Sequence, residues 1–235
     1  QNMPVPTNYT MVVEMTADTI DAISGESYAD SPVVLKAASG SAVVTPLTTI
    51  LEVAKSADPT YTAEKLATAM GLPTGVDVSS YNPFAAGADQ TTAHEVETVF
   101  QQVMTAQLVV AEAMKGLADV AGATDVTAKD ASEAAMSAIA VMVVASAVTV
   151  DLADSTQVGE LKEQAKTKAA DLGITVDAAV ADAMLTSASN AVATVSAALS
   201  NLTPDTFGTS AASSVSRLKH DAAGEVKAAS VAVAA

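Results

Sequence analysis

Residues 92–120 read TAHEVETVFQQVMTAQLVVAEAMKGLADV, and this stretch decides the fold class. Apolar residues recur in it at alternating spacings of three and four, the period of an amphipathic helix with a coiled-coil-like seam. Thr92 and Glu95 have the spacing of a capping box, and Gly122 is typical of a helix end. The pattern therefore predicts one long helix. Its apolar seam consists of Val96, Val99, Val103, Ala106, Val110, Ala113, Leu117 and Val120.

Similar patterns predict further helices on both sides of this stretch. Thr45 followed by Pro46 predicts a helix start, and Thr127 and Thr175 are further candidate N-caps. The uncharged stretch 134–150 is shorter than the ~20 strongly apolar residues that span a bilayer, so we expect no membrane insertion. We interpret it as a helix at the centre of the bundle. The predicted fold class is mainly α: a bundle of about three to four long Ala/Val-rich helices with additional short helices.

The first 45 residues differ in pattern from the rest of the chain. Short β-branched runs at 11–15 and 31–37 are separated by Ser/Gly turns, which predicts a small N-terminal β segment. We therefore divide the chain into an N-terminal β or extended segment at 1–45, short helices and a loop at 46–88, and an Ala-rich helical bundle at 89–235.

Composition and charge exclude several classes of function. The chain has 27 acidic and 11 basic residues and a net charge of -16, which argues against binding nucleic acid or an anionic membrane. It contains no cysteine, and its two histidines, His94 and His220, leave little material for histidine catalysis. We interpret both histidines as exposed residues. No phosphate loop, nucleophile elbow or H-E-x-x-H motif occurs, so we predict no catalytic residues and no enzyme.

Pairs of acidic residues are the candidate metal ligands. Calcium prefers oxygen ligands, and two pairs have turn or helical spacing. Two oxygen ligands do not complete a calcium site. The alternative interpretation is that the acidic residues form a solvated surface that keeps an apolar chain soluble in salty water. We expect no cofactor other than calcium. The candidates are Asp18 with Asp21, and Asp151 with Asp154.

Motifs between residues 16 and 84 have a recognisable order. TPLTT at 45–49 is followed by MGLP at 70–73 and NPF at 82–84. This order resembles a helical module of very large secreted bacterial surface proteins, similar to adhesins that also carry cadherin-like, immunoglobulin-like or RTX-type repeats. The chain itself has no RTX nonapeptide. The resemblance implies a structural or adhesive role outside the cell or at its surface, and it supplies no catalytic residue.

We therefore expect a non-enzymatic structural or adhesive module that packs against copies of itself or neighbouring modules, as in a filament built by strand addition. The alternative is a helical bundle that holds a small apolar ligand or calcium. An enzyme using carboxylates alone, such as a glycosidase-like acid pair, is a third hypothesis. Asn8 and Asn201 begin glycosylation sequons, which would require exposure in a secreted protein. The candidate self-association residues are Met11, Val12, Val13, Val33, Val34 and Leu35.

Overall fold

A computed structural model describes residues 9–28, 33–206 and 210–234 of the chain. The predicted fold class is confirmed: the described residues form a mainly helical bundle with a two-stranded sheet near the N-terminus. In chain order the elements are β1 (Thr10–Glu14), β2 (Val34–Ala38), α1 (Pro46–Ala57), α2 (Ala63–Ala69), α3 (Gln90–Ala121), α4 (Ala128–Ala145), α5 (Ser155–Asp171), α6 (Ala178–Ser200), a 3-10 turn (Pro204–Thr206) and α7 (Ser210–Ala234).

Helix α3 lies at the centre of the bundle and packs against α4, α6 and α7. Within the predicted apolar seam only Val99 and Val120 keep partial exposure. Burial extends well beyond the seam, because residues 102–114 are buried on every side of the helix. Neighbouring helices therefore cover the positions that the sequence pattern assigns to a polar face.

The prediction that 134–150 forms the central helix was wrong. Helix α4 ends at Ala145, and Val141 and Val144 on its outer side are exposed. It packs chiefly against α3, α5 and α1 and leaves this outer side open to solvent, so α3 rather than α4 is the helix at the centre of the bundle. Among the described residues, no helix combines the length and the apolar character needed to cross a membrane.

Two helix starts agree with the predicted caps. The Thr45 side chain accepts a hydrogen bond from the Thr48 backbone N–H at 3.1 Å, and Pro46 is the first residue of α1. The Thr127 hydroxyl accepts from the Asp130 N–H, and the Asp130 carboxylate in turn accepts from the Thr127 N–H at 2.9 Å. These caps satisfy backbone donors that have no partner inside the helix.

Two other helices begin at aspartates rather than at the predicted threonines. Asp89 accepts a 2.9 Å hydrogen bond from the Thr92 N–H, so α3 starts about one turn before the predicted capping box. Asp177 accepts from the Ala179 N–H at 2.9 Å, and α6 starts after it rather than after Thr175. A carboxylate interacts with both the free N–H groups and the positive end of the helix dipole, which favours aspartate at these positions.

The sheet consists of β1 and β2 in antiparallel pairing, with Thr10 opposite Ala38 and Glu14 opposite Val34. Strand β2 packs against α1, whereas β1 lies at the surface. The core is continuous from the sheet to the last helix, since its buried apolar side chains include Leu35 of β2 and Val226 of α7. The N-terminal segment is thus packed onto the bundle.

Candidate functional site

A buried group of polar side chains joins the N-terminal segment to α3 and α7. Lys219 of α7 is 1% exposed and forms a salt bridge with Asp21. It also donates to Gln101 Oε1 of α3 at 2.6 Å. One turn before Gln101, Glu97 is 3% exposed, and it accepts from Gln101 Nε2 at 2.7 Å. We call these four residues together with His220 the Asp21 cluster.

A tight loop holds Asp21 in position. Its Oδ1 accepts from the backbone N–H groups of Ile23, at 2.9 Å, and Ser24, at 3.3 Å. Gly25 closes the loop with φ +76°, a conformation that glycine adopts without strain. Because the loop occupies Oδ1, the other oxygen, Oδ2, is the one that contacts α7.

Helix α7 presents one face to this loop. Ser216 and His220, one turn apart, approach Asp21 Oδ2 at 3.4 Å each, the serine as donor. On the rim, Arg217 Nε lies 3.0 Å from Glu26 Oε1. The loop and α7 are thus held together by contacts between residues at opposite ends of the chain.

Burial and neighbouring charges change the protonation behaviour of the cluster. Burial opposes ionisation of Asp21, but the hydrogen bond from His220 and the charge of Lys219 together hold the pKa of Asp21 well below its usual range. Burial lowers the pKa of Lys219, and the charge of Asp21 opposes that effect. Burial raises the pKa of Glu97 to about 7, although the Gln101 hydrogen bond acts in the other direction. Glu97 is therefore a buried carboxyl that changes charge near neutral pH.

A cavity of about 430 Å³ lies beside the Asp21 cluster and is bordered by Asp21, Glu97, Gln101 and Lys219. Tyr81 also borders the cavity. Its hydroxyl is shielded from solvent and has no hydrogen-bond partner within the described residues. Mostly apolar walls with a few polar groups are typical of small-molecule sites. Its apolar lining includes Met15, Tyr28, Leu35, Phe84, Phe100 and Met104.

The outer edge of β1 is a second candidate site. The Met15 N–H donates to the Val33 carbonyl at 2.8 Å. This hydrogen bond shows which residues of β1 direct their backbone groups towards β2. Because these groups alternate along an antiparallel pair, those of Thr10, Val12 and Glu14 point away from β2. Val12 is 52% exposed. No other strand of the described residues pairs with this edge, so its backbone donors and acceptors are open to a further strand.

The far edge of β2, by contrast, is closed by helix side chains. The Val34 N–H donates to Ser132 Oγ at 3.3 Å, and the Val34 carbonyl accepts from Gln107 Nε2 at 3.0 Å. The Lys36 N–H donates to Thr49 Oγ1 at 2.8 Å. Of the two edges of the described sheet, the one formed by β1 is thus the one open to another strand.

The structure separates the predicted self-association residues into two groups. Those in the first run lie in β1 at the surface, while those in the second run are buried in or beside β2, within the core. The buried group is not accessible to another chain. The surface group is Met11, Val12 and Val13, and the buried group is Val33, Val34 and Leu35.

The four acidic candidates for calcium have different environments. Asp18 is exposed, whereas Asp21 pairs with Lys219. Asp151 accepts from a backbone N–H in its own turn, and Asp154 caps α5. No group of three or more histidine or acidic residues that could hold a metal occurs within the described ranges. Calcium binding stays a prediction.

The sequon residue Asn201 is exposed at the end of α6, and Asn8 lies outside the described residues.

The prediction that both histidines are exposed was wrong. His94 is buried, with its Nε2 3.1 Å from the Leu202 carbonyl oxygen. His220 contacts Asp21, and its ring meets that of Tyr28 edge-on at a centroid distance of 5.1 Å. Neither sequence neighbourhood identifies these partners, because both come from other elements.

Sequence reasoning also missed Lys219 and Glu97. One signal for Lys219 was present, since it stands at helical spacing from Ser216, Ala223 and Val226, all of which are buried. A lysine in phase with the buried face of a helix indicates a buried charge with a partner. Glu97 gives a weaker signal, because its position beside the apolar seam of α3 is also that of an ordinary surface residue.

No protein-family model, curated protein or solved structure matches this chain. Two features of the structure therefore bear on its function. One is the open edge of β1, and the other is the cavity beside the Asp21 cluster.

Proposed function

We propose that the protein is a non-enzymatic structural module of an extracellular or cell-surface assembly, and that it associates with a second copy of itself through β1. The observation that carries the proposal is the open edge of β1 next to a closed edge of β2. Unpaired backbone groups along an exposed strand are a template for another strand. The resemblance of residues 16–84 to modules of secreted surface proteins supports an extracellular or cell-surface location. An excess of acidic residues suited to saline surroundings supports the same location.

The residues of β1 favour pairing with an identical strand. Antiparallel pairing about Val12 brings the two Val12 residues opposite each other and places Thr10 of each copy opposite Glu14 of the other. This register keeps the two Glu14 carboxylates apart, and each is already paired with Lys129 of its own chain at 3.2 Å. The result is a four-stranded sheet shared by two copies.

Pairing of this kind is closed, because a two-fold axis uses the same edge on both copies. Strand β1 alone therefore makes a dimer, and a filament requires an additional contact surface. The edge is only five residues long, so we expect a weak dimer whose population depends on concentration.

The test replaces Val12 by proline, which removes the outward N–H and leaves the hydrogen bonds between β1 and β2 intact. Val12→Thr is the matched control, because it keeps the N–H and the β-branched shape. We expect Val12→Pro to raise the dimer dissociation constant at least about tenfold, since both hydrogen bonds between the two Val12 residues are lost. Sedimentation equilibrium over a series of concentrations measures it.

The proposal fails if the wild-type chain is monomeric at the highest concentration reached, or if Val12→Pro dimerises as well as the wild type. Amide chemical shifts of Met11 and Val13 provide the folding control, because they show whether β1 still pairs with β2 in each variant.

A further inference from the structure

We infer that the cavity beside the Asp21 cluster binds a small organic ammonium ion, a primary or secondary amine carried on an apolar body. The volume of about 430 Å³ lies within the range of small-molecule sites. Ile20 and Phe84, which border the cavity, are both exposed, and Phe84 is 64% exposed. The cavity therefore opens to solvent, and a ligand reaches it without unfolding of the bundle.

Aromatic side chains are concentrated at this cavity. The whole chain has only four tyrosines and three phenylalanines. Four of these seven residues line the cavity, and they are Tyr28, Tyr81, Phe84 and Phe100. Aromatic ring faces attract organic cations and also pack against apolar groups. The lining thus suits a ligand that combines a positive charge with an apolar body.

Glu97 has one carboxylate oxygen that the cluster does not use. Its Oε1 accepts from Gln101, and its Oε2 makes no hydrogen bond within the described residues. A primary or secondary ammonium ion carries two or three N–H donors and can supply one to this oxygen. A hydrogen bond between an ammonium ion and a carboxylate is charge-assisted and strong, so it favours binding of the cation.

The charges of the cluster favour a cation over an anion. Lys219 forms a salt bridge with Asp21 and donates a hydrogen bond to Gln101. Because Asp21 neutralises its charge, the lysine does not attract a ligand carboxylate. Glu97 forms no salt bridge within the described part of the chain. A ligand cation would pair with this buried carboxylate, and the net charge of -16 attracts cations towards the protein.

Isothermal titration calorimetry with benzylamine tests the inference. We expect saturable binding with a dissociation constant below about 1 mM. Benzyl alcohol and benzoate, which keep the ring but lack the positive charge, should bind at least about tenfold more weakly. Benzyltrimethylammonium keeps the charge but has no N–H donors, so it should also bind more weakly than benzylamine.

One variant assigns the binding to the cavity. Glu97→Gln keeps the shape and the hydrogen bond from Gln101 but removes the charge, and it should weaken benzylamine binding at least about tenfold. Tyr81→Phe removes a hydroxyl that solvent does not reach, so it should bind benzylamine within about twofold of the wild type. Glu225→Gln is the matched control, because Glu225 is an exposed acid on α7 that does not line the cavity, and it should bind like the wild type.

The inference is overturned if benzylamine does not bind at concentrations up to about 10 mM, if benzoate binds at least as tightly, or if Glu97→Gln has no effect. Thermal melting of each variant verifies that the bundle is folded. Thr10, Val12 and Glu14 do not line the cavity, so failure of amine binding leaves the proposed association through β1 standing.

Discussion

Glu97 makes the stability of the protein depend on pH. Gln101 of α3, Lys219 of α7 and Asp21 of the tight loop are its polar neighbours in the cluster, and His94 borders the same small hollow. The pKa of Glu97 rises from 4.5 to about 7 in the folded protein, chiefly because it is buried. Between these pH values the folded state binds more protons than the unfolded state, so this residue lowers stability as pH rises. At pH values above both 4.5 and 7, the ionised Glu97 lowers the free energy of unfolding by about 3 kcal/mol.

We predict that Glu97→Gln stabilises the protein in a pH-dependent way, because glutamine keeps the shape without the buried charge. The gain in the free energy of unfolding should reach about 3 kcal/mol at pH ~8.5 and fall below about 1 kcal/mol at pH ~5. Urea denaturation at the two pH values measures it. Glu225→Gln, a surface change, should shift stability by less than about 0.5 kcal/mol at both. An equal gain from Glu97→Gln at both pH values would contradict the assignment.

At the scale of the secondary-structure elements, the close packing of α7 on α3 is set by one glycine. At Gly116 of α3 an added methyl group would overlap the Ser230 side chain of α7 and lie 2.9 Å from Met184 Cε of α6. The three helices therefore meet at a position where no side chain fits. This contact and the Asp21 cluster together hold α7 against the bundle.

We predict that Gly116→Ala destabilises the protein by about 1–3 kcal/mol, since overlap at a packed helix crossing outweighs the gain in helix propensity. Gly159→Ala in α5 is the matched control. A methyl group there meets no atom within 4 Å, so the same change should stabilise by about 0.5–1 kcal/mol. Thermal and urea unfolding of both variants measure the contrast. A stabilising effect at Gly116 would mean that α7 does not approach α3 as closely as described.

At the scale of the whole molecule, acidic residues far outnumber basic ones, and the net charge is -16. Mutual repulsion of so many carboxylates opposes the compact state, and salt screens it over a distance of about 10 Å at 0.1 M. The salt bridge between Asp21 and Lys219 is buried, so salt affects it much less.

We predict that sodium chloride stabilises the protein. Raising its concentration from about 0.05 M to about 1 M should increase the free energy of unfolding on the order of 1 kcal/mol, or about 2–4 °C in Tm for a chain of this size. Calorimetry in sodium chloride measures this, with sucrose as a control that stabilises without screening. A fall in Tm with salt would show that surface ion pairs such as Lys162 with Asp182, 3.1 Å apart, outweigh the repulsion.

The sequence by itself determined the helical class, the β segment and several helix ends. These features are local, because a period of three to four residues, a capping threonine at Thr45 or Thr127, and a glycine such as Gly122 act within a few positions along the chain. At Asp89 and Asp177 the local signal was ambiguous, and the observed helix starts differ from the predicted ones by a few residues.

Only the tertiary structure decided which helix is central, which polar residues are buried and which sheet edge is open. Gln107 is buried because it meets the carbonyl of Val34, and Lys219 is buried because it meets Asp21 from the opposite end of the chain. Spacing along a sequence reports the period of one element. The free energy of burying a polar side chain depends instead on partners from other elements, and those partners are brought together only when the chain folds.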